Sequence, residues 1–141
     1  MFPAGTPLKV SVVPSAFPVF YVRDVEATAR FYRDLVGFTE LFRMPEDGDP
    51  GYVGLMLGDS RLGLVDASWP GDTIGIAVGS GPRAELFVYV DDVDAAAARA
   101  EDVGGKLLRP PGDMPWGERV AYVEDPEGNP VALAMPAENP A

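Results

Sequence analysis

The chain contains an internal repeat, and this repeat limits the possible folds more than any other feature of the sequence. Residues 17–38 read FPVFYVRDVEATARFYRDLVGF, and residues 85–106 read ELFVYVDDVDAAAARAEDVGGK. The two stretches align without a gap at a constant offset of 89 − 21 = 68 positions, so that Tyr21 falls on Tyr89. A repeat at a fixed offset indicates one structural unit that is used twice. We therefore predict two copies of the same arrangement of strands and helices.

Each copy is predicted to begin with a strand and to continue into a helix. Val and aromatic residues dominate the start of the first copy, which is typical of a strand. Asp24 then precedes an apolar pattern of helical spacing and is expected to cap that helix, which Gly37 ends in a left-handed conformation. The predicted strands cover 17–22, 38–44, 52–57, 61–65, 85–90, 106–109, 118–124 and 131–135, the predicted helices cover about 26–35 and 94–103, and turns are predicted at 58–60, 110–112 and 125–129.

The order of these elements predicts an α+β protein built from two βαβββ modules in tandem. The modules are expected to span 17–66 and 85–136, and a linker over 67–84 with at most one short strand joins them. An N-terminal arm covers 1–16; it could contain an edge strand over 8–13 and cross to a partner subunit about a hinge at Pro14. A tail over 137–141 completes the chain.

Composition excludes several classes of function. The formal net charge is −11, which argues against a nucleic-acid surface and against an anionic membrane. The sequence has no Cys and no His, so it offers no disulfide framework, no thiolate chemistry and no Ser-His-Asp triad. No apolar run is long enough to span a bilayer, and the N-terminal residues lack the pattern of a secretory signal. The expected location is the cytoplasm.

Three segments together resemble the vicinal oxygen chelate superfamily, which includes glyoxalases, extradiol dioxygenases, fosfomycin-resistance enzymes and bleomycin-resistance proteins. They are VRDVEATARFYRDLVGF (22–38), VDDVDAAAARAEDVGGK (90–106) and PWGERVAYVEDPEGNPVAL (115–133). The resemblance covers about residues 17–136 and is nearest to the bleomycin-resistance branch. It implies curved mixed sheets that enclose a ligand cavity, in a protein that is expected to form a homodimer.

Metal enzymes of this superfamily carry ligands at four positions, and the resemblance transfers these to four residues here. They fall on Phe17, near Gly63, on Glu85 and on Ala132. Only Glu85 has an atom that can bind a metal, whereas a transition metal needs three or more protein ligands. We therefore predict no metal and no other cofactor.

Alternation along the strands predicts which side chains face the cavity. The predicted ligand-binding residues are Phe17, Val19, Tyr21, Gly63, Glu85, Phe87, Tyr89, Trp116, Arg119 and Ala132. Trp116 is equally consistent with a stacking surface and with a loop anchor. Arg119 could meet an anionic group of a ligand, but pairing with Glu85 or Glu118 fits it better. Trp69, in the linker, could be a lid or an interface residue, and the interface is favoured.

These features predict a protein that sequesters a small aromatic or cationic molecule, such as an antibiotic, in a cavity without metal. The alternative is a lyase, isomerase or dioxygenase-like enzyme that uses Glu85 as a base or as a metal ligand. A third possibility is a ligand-responsive interaction module without chemistry of its own. The expected partners are therefore a small molecule and a second copy of the chain, with no nucleic acid and no membrane.

Overall fold

A computed structural model describes residues 15–138 and consists of two four-stranded mixed sheets with helices packed on them. Strand order is β1-β4-β3-β2 in the first sheet and β5-β8-β7-β6 in the second. The α+β fold of two tandem modules is thereby confirmed. The strand proposed over 8–13 and the hinge at Pro14 lie outside the described residues, as does the end of the tail.

The first module contains four strands and one long helical segment. Its elements are β1 (Val19–Val22), α1 (Val25–Phe31), a π-helical continuation (Tyr32–Val36), β2 (Thr39–Met44), β3 (Tyr52–Leu57) and β4 (Ser60–Asp66). A short helix, α2 (Trp69–Ile74), follows in the linker. The second module comprises β5 (Leu86–Tyr89), α3 (Val93–Arg99), a 3₁₀ continuation (Ala100–Val103), β6 (Lys106–Asp113), β7 (Glu118–Glu124) and β8 (Pro130–Pro136).

The two sheets have the same register at the positions that matter for the site. β1 runs parallel to β4 with Val19 beside Gly63, and β5 runs parallel to β8 with Phe87 beside Ala132. All other neighbouring strands are antiparallel. Gly63 and Ala132 are therefore equivalent positions in the two modules.

The two repeated helices begin alike and end differently. Asp24 accepts a hydrogen bond from the amide of Ala27 at 2.9 Å, so the predicted cap is confirmed, and Asp92 caps α3 in the same way. The first helix widens into a π turn before it ends at Gly37, with φ 95°, whereas the second tightens into a 3₁₀ turn and ends at Gly104, with φ 87°. A π turn holds more residues than a 3₁₀ turn. For this reason the left-handed residue of the second helix comes one position before the Gly105 that the repeat aligns with Gly37.

Two predicted segments differ from the structure. The linker contains helix α2, with Pro70 in its first turn and Gly75 in the left-handed conformation after its end, where the sequence predicted at most one short strand. Pro is tolerated in a first helical turn because the amide it lacks has no helical partner there. The turn predicted at 110–112 is also wrong, because these residues continue β6 with two shifts of register. β6 is an edge strand, where proline removes few ladder hydrogen bonds.

The main core lies between the helices and the two sheets and contains residues from both modules. Phe31 and Tyr32 of the first module are fully buried in the same cluster as Val88, Val123 and Leu133 of the second. Alternate strand residues point to the opposite face of each sheet, where Val19 and Tyr21 of the first sheet and Phe87 and Tyr89 of the second are exposed. Each sheet therefore has one face covered by helix and core, and one open face.

Polar contacts also join the modules. The Tyr32 hydroxyl donates to Asp125 Oδ2 at 2.7 Å, and both residues are buried. Glu127 accepts a hydrogen bond from the amide of Arg23 at 2.7 Å. The turn between β7 and β8 is thus attached to the first helix of the other module. Over residues 15–138, no helix has the length and apolar character needed to cross a membrane.

Candidate functional site

A cavity of about 550 Å³ lies on the open face of the first sheet. Its aromatic lining residues are Phe17, Tyr21, Phe42, Tyr52 and Trp69. Val19 contributes an aliphatic surface, and Gly54 leaves space on β3. The cavity is therefore mainly apolar with few polar groups, which is the usual composition of a small-molecule site.

Helix α2 brings Trp69 to this cavity from the linker. The Trp69 side chain is partly exposed beside Tyr52 and the end of β4, and it also borders a second depression next to α2. The rings of Phe42 and Tyr52 lie with centroids 5.7 Å apart at an angle of 53°. Three aromatic rings from separate elements thus surround one space, which is suited to a planar ligand.

Tyr52 lies across the strand position at which the resemblance places a metal ligand. A β-carbon built on Gly63 would lie 2.7 Å from Tyr52 Oη and 3.1 Å from a methyl carbon of Val19. The absence of a side chain at Gly63 therefore allows the Tyr52 phenol to occupy this place. Burial raises the pKa of the Tyr52 phenol, and the positive charge of Arg61 acts in the opposite direction.

The predicted residues of the second module lie on another surface, the open face of the second sheet. The rings of Phe87 and Tyr89 meet edge to face with centroids 5.6 Å apart. Trp116 Nε1 donates to Glu118 Oε1 at 2.7 Å, and hydrogen bonding to the same carboxylate raises the pKa of Tyr89. Phe87, Tyr89 and Trp116 are exposed. None of them lines the cavity of the first sheet, so the predicted set is divided between two surfaces.

Three further predicted residues take positions that limit their contact with a ligand. Arg119 points to the helical side of its sheet, where it binds both carboxylate oxygens of Asp94, at 2.7 and 2.8 Å. The predicted pairing with Glu85 or Glu118 is therefore wrong, and the Arg119 hydrogen bond lowers the pKa of Asp94. Ala132 is fully buried, and Glu85 is exposed just before β5.

These residues do not fit the metal centre that the fold implies. Phe17, Gly63 and Ala132 have no side-chain donor atom, and Tyr52 fills the space above Gly63. Glu85 is left as the single carboxylate. Among residues 15–138, no three Asp or Glu side chains are grouped so that they could hold a metal ion. We derive no chemistry through a metal for this site.

Phe42, Tyr52 and Arg61 were not predicted as cavity residues, and Trp69, for which an interface was favoured over a lid, also lines the cavity. Sequence reasoning used alternation on β1 and β5 only, although the same alternation on β3 and β4 gives Tyr52 with Gly54 and Arg61 with Gly63. Two glycines on neighbouring strands were the available signal, because glycine inside a strand often marks a close approach of another group.

Comparison with known proteins gives consistent matches over most of the chain. The sequence model described as Glyoxalase/Bleomycin resistance protein/Dioxygenase superfamily matches residues 16–133. A Synechocystis protein named probable lactoylglutathione lyase is 28% identical over 118 residues, 79% of this chain and 87% of that protein. The crystal structure of a glyoxalase-related enzyme from Fulvimarina pelagi has a TM-score of 0.72 at 28% identity, and the match covers 85% of this chain and 86% of that one.

A mycobacterial relative is longer. The protein CFP32 of Mycobacterium tuberculosis is 31% identical over 108 residues, which is 76% of this chain. The chain spans 38% of the length of CFP32. The match thus involves a part of that relative.

Proposed function

The chain belongs to the Glyoxalase/Bleomycin resistance protein/Dioxygenase superfamily, and we propose that it binds and sequesters a small aromatic compound without a metal. The observation that carries this proposal is the first-sheet cavity, in which three aromatic side chains from β2, β3 and α2 surround one apolar space. Enzymes with this fold hold a metal. In this chain the Tyr52 phenol occupies the space into which a metal-binding side chain at position 63 would extend. An antibiotic with a planar aromatic group is one ligand of this kind.

Tryptophan fluorescence tests this proposal, because the two tryptophans lie on different surfaces. Trp69 lines the cavity, whereas Trp116 lies on the other sheet. Titration of the protein with bleomycin-type and planar aromatic compounds, in the presence of a chelator, should quench Trp69. Trp116→Phe should keep the response and Trp69→Phe should lose it. The proposal would be contradicted if no compound changed the fluorescence, or if the change in fluorescence persisted in Trp69→Phe.

A lyase, isomerase or dioxygenase-like enzyme is the second candidate, and the Synechocystis relative named probable lactoylglutathione lyase favours it. Glu85 would serve as base or as metal ligand. An enclosed carboxylate is better suited to proton transfer than an exposed one, and Glu85 is exposed. Metal analysis of protein purified without chelators separates the two candidates. Stoichiometric metal that is lost in Glu85→Ala would favour the enzyme.

A cationic ligand is also compatible with the chain, through the second sheet rather than the first. Glu118 lies between Trp116 and Tyr89 on that open face. A carboxylate beside aromatic rings attracts organic cations. An organic cation whose binding is lost on replacement of Glu118, and which leaves the fluorescence of Trp69 unchanged, would identify this ligand class.

The active form is proposed to be a homodimer. The open faces expose large apolar side chains, with Phe42 45% and Trp116 56% accessible. Exposed apolar surface of this kind is commonly covered by association. A second copy of the chain is the proposed occupant. A monomer by light scattering at micromolar concentration would exclude it.

A further inference from the structure

We propose that Tyr52 and Arg61 form a pair of hydrogen-bond donors in the first-sheet cavity, and that this pair recognises an anionic oxygen of a planar aromatic ligand. The inference rests on the proposed function and narrows it to aromatic carboxylates and phenolates. Neither residue is marked by the internal repeat or by the four ligand positions of the superfamily. Both project from the middle strands of the sheet into the same apolar space.

The Tyr52 hydroxyl is a polar atom among apolar neighbours. It lies over Gly63 and near a methyl group of Val19, and the centroids of the Tyr52 and Phe42 rings are 5.7 Å apart. Among residues 15–138, no hydrogen bond of the Tyr52 side chain is found, and its hydroxyl keeps some access to solvent. A polar group that is partly removed from water contributes to binding when a ligand supplies its partner. Tyr52 is thus available to a ligand acceptor.

Arg61 supplies the charge. It lines the cavity and lies two residues before Gly63 on β4, so both are on the same face of that strand. Within residues 15–138, Arg61 takes part in no ion pair. Its charge reaches the Tyr52 phenol, since it lowers the pKa that burial raises. A guanidinium group donates and never accepts, and it matches a carboxylate in geometry.

The described lining of the cavity contains no carboxylate, so a cation finds no counterion there. The net charge of −11 slows the approach of an anion from a distance. At physiological salt this repulsion is screened beyond about 8 Å, whereas contact with Arg61 is not. Tyr52 and Arg61 therefore select the charge of the polar group on the ligand, and the aromatic lining selects the shape of its apolar part.

Three naphthalene probes of equal size test the pair by isothermal titration calorimetry: 2-naphthoate, 2-naphthamide and 2-(aminomethyl)naphthalene. They carry an anion, a neutral acceptor and a cation on the same ring. We expect 2-naphthoate to bind at least about 10-fold more tightly than the amine, because hydrogen bonds to charged groups contribute more than neutral ones. Tighter binding of the amine would overturn the proposal.

Variants then separate the two donors. Arg61→Gln should weaken 2-naphthoate by about 10-fold or more and the amide by less than about threefold, and Tyr52→Phe should weaken both acceptors by about 3- to 10-fold. Gly63→Ala should reproduce the Tyr52→Phe result, because its β-carbon would displace the hydroxyl. Arg30→Gln, on the exposed side of α1, is the control for net charge. Gly112→Ala, which meets no atom within 4 Å, is the control for glycine replacement.

The outcomes distinguish this inference from the proposed function. If the probes bind and quench Trp69 but both donor variants bind 2-naphthoate like the wild type, the donor pair is wrong and sequestration of aromatic compounds stands. If none of the three probes binds to folded protein, as judged by circular dichroism, both proposals fail. If a variant does not fold, the ranking of the three probes on the wild-type protein decides alone.

Discussion

Replacing Tyr32 with Phe removes one hydroxyl from the contact between the two modules, and the structure allows the cost to be worked out. Tyr32 is fully buried and donates to Asp125 Oδ2 at 2.7 Å. Asp125 is 2% exposed and also accepts hydrogen bonds from the amides of Glu127 and Asn129 and from the Asn129 side chain. A hydrogen bond to a charged group contributes about 1.5–3 kcal/mol. Because three donors remain on Asp125, we expect a loss of about 2 kcal/mol.

This loss should be visible in both thermal and urea unfolding. An unfolding entropy of about 2.1 cal/mol/K per residue converts about 2 kcal/mol into a decrease in Tm of roughly 7 °C for a chain of this length. Urea unfolding, followed by far-ultraviolet circular dichroism, should show a lower midpoint with an unchanged slope. Asp125→Ala should cost more than Tyr32→Phe, since it leaves four donors without their acceptor.

Tyr52→Phe is the matched control for this experiment. It makes the same chemical change, but no hydrogen bond of the Tyr52 side chain is found among residues 15–138, and this residue is only partly buried. We expect it to change the free energy of unfolding by less than about 0.5 kcal/mol. If Tyr32→Phe were as stable as Tyr52→Phe, the hydrogen bond would not hold the modules together and the reasoning would be refuted.

Three other outcomes are expected. Gly105→Ala should destabilise the protein by about 3 kcal/mol or more, because its β-carbon would lie 2.7 Å from a backbone oxygen that cannot move aside. Gly112→Ala should be nearly neutral, and equal urea midpoints for the two variants would contradict this prediction. Burial, followed by the charge of Asp125, raises the pKa of the Tyr32 phenol. The protonated phenol therefore contributes its full stabilisation below about pH 10. This stabilisation is lost as pH rises from there toward the folded-state pKa, by up to about 1.4 kcal/mol per pH unit. Tyr32→Phe should remove that part of the alkaline loss, and parallel stability curves for the two proteins would count against it. Arg119→Gln should leave 2-naphthoate binding within about twofold of the wild type, because this side chain lies on the helical face, and a larger change in calorimetric affinity would show that it contributes to the site.

The sequence allowed the fold to be predicted because the repeat contains local and periodic information. Strand alternation is a local property, and it correctly directed Val19 and Tyr21 to the open face of the first sheet. Helix caps are local too, so Asp24 could be recognised from its neighbours. The sequence could not show that Gly104, and not Gly105, takes the left-handed conformation after the second helix, because π and 3₁₀ turns depend on how each helix end packs.

The site was harder to predict because it depends on residues that are distant in sequence. Tyr52 acquires its position from Gly63, on the neighbouring strand. Arg119 binds Asp94, which lies 25 residues earlier on α3, instead of the predicted partners Glu85 or Glu118. Tyr32 reaches Asp125 across 93 residues. None of these pairings follows from composition or period, since each requires the tertiary arrangement of the modules.

The proposed function requires the first-sheet cavity to bind an aromatic ligand without a metal. A crystal structure of the protein grown with both 2-naphthoate and a manganese salt tests it most directly. We expect the naphthalene ring between Phe42 and Trp69, its carboxylate within hydrogen-bond distance of Tyr52 Oη, and no metal ion in contact with it. A manganese ion bound by Glu85 and bridging to the ligand, or naphthoate found only outside this cavity, would show that the proposed function is wrong.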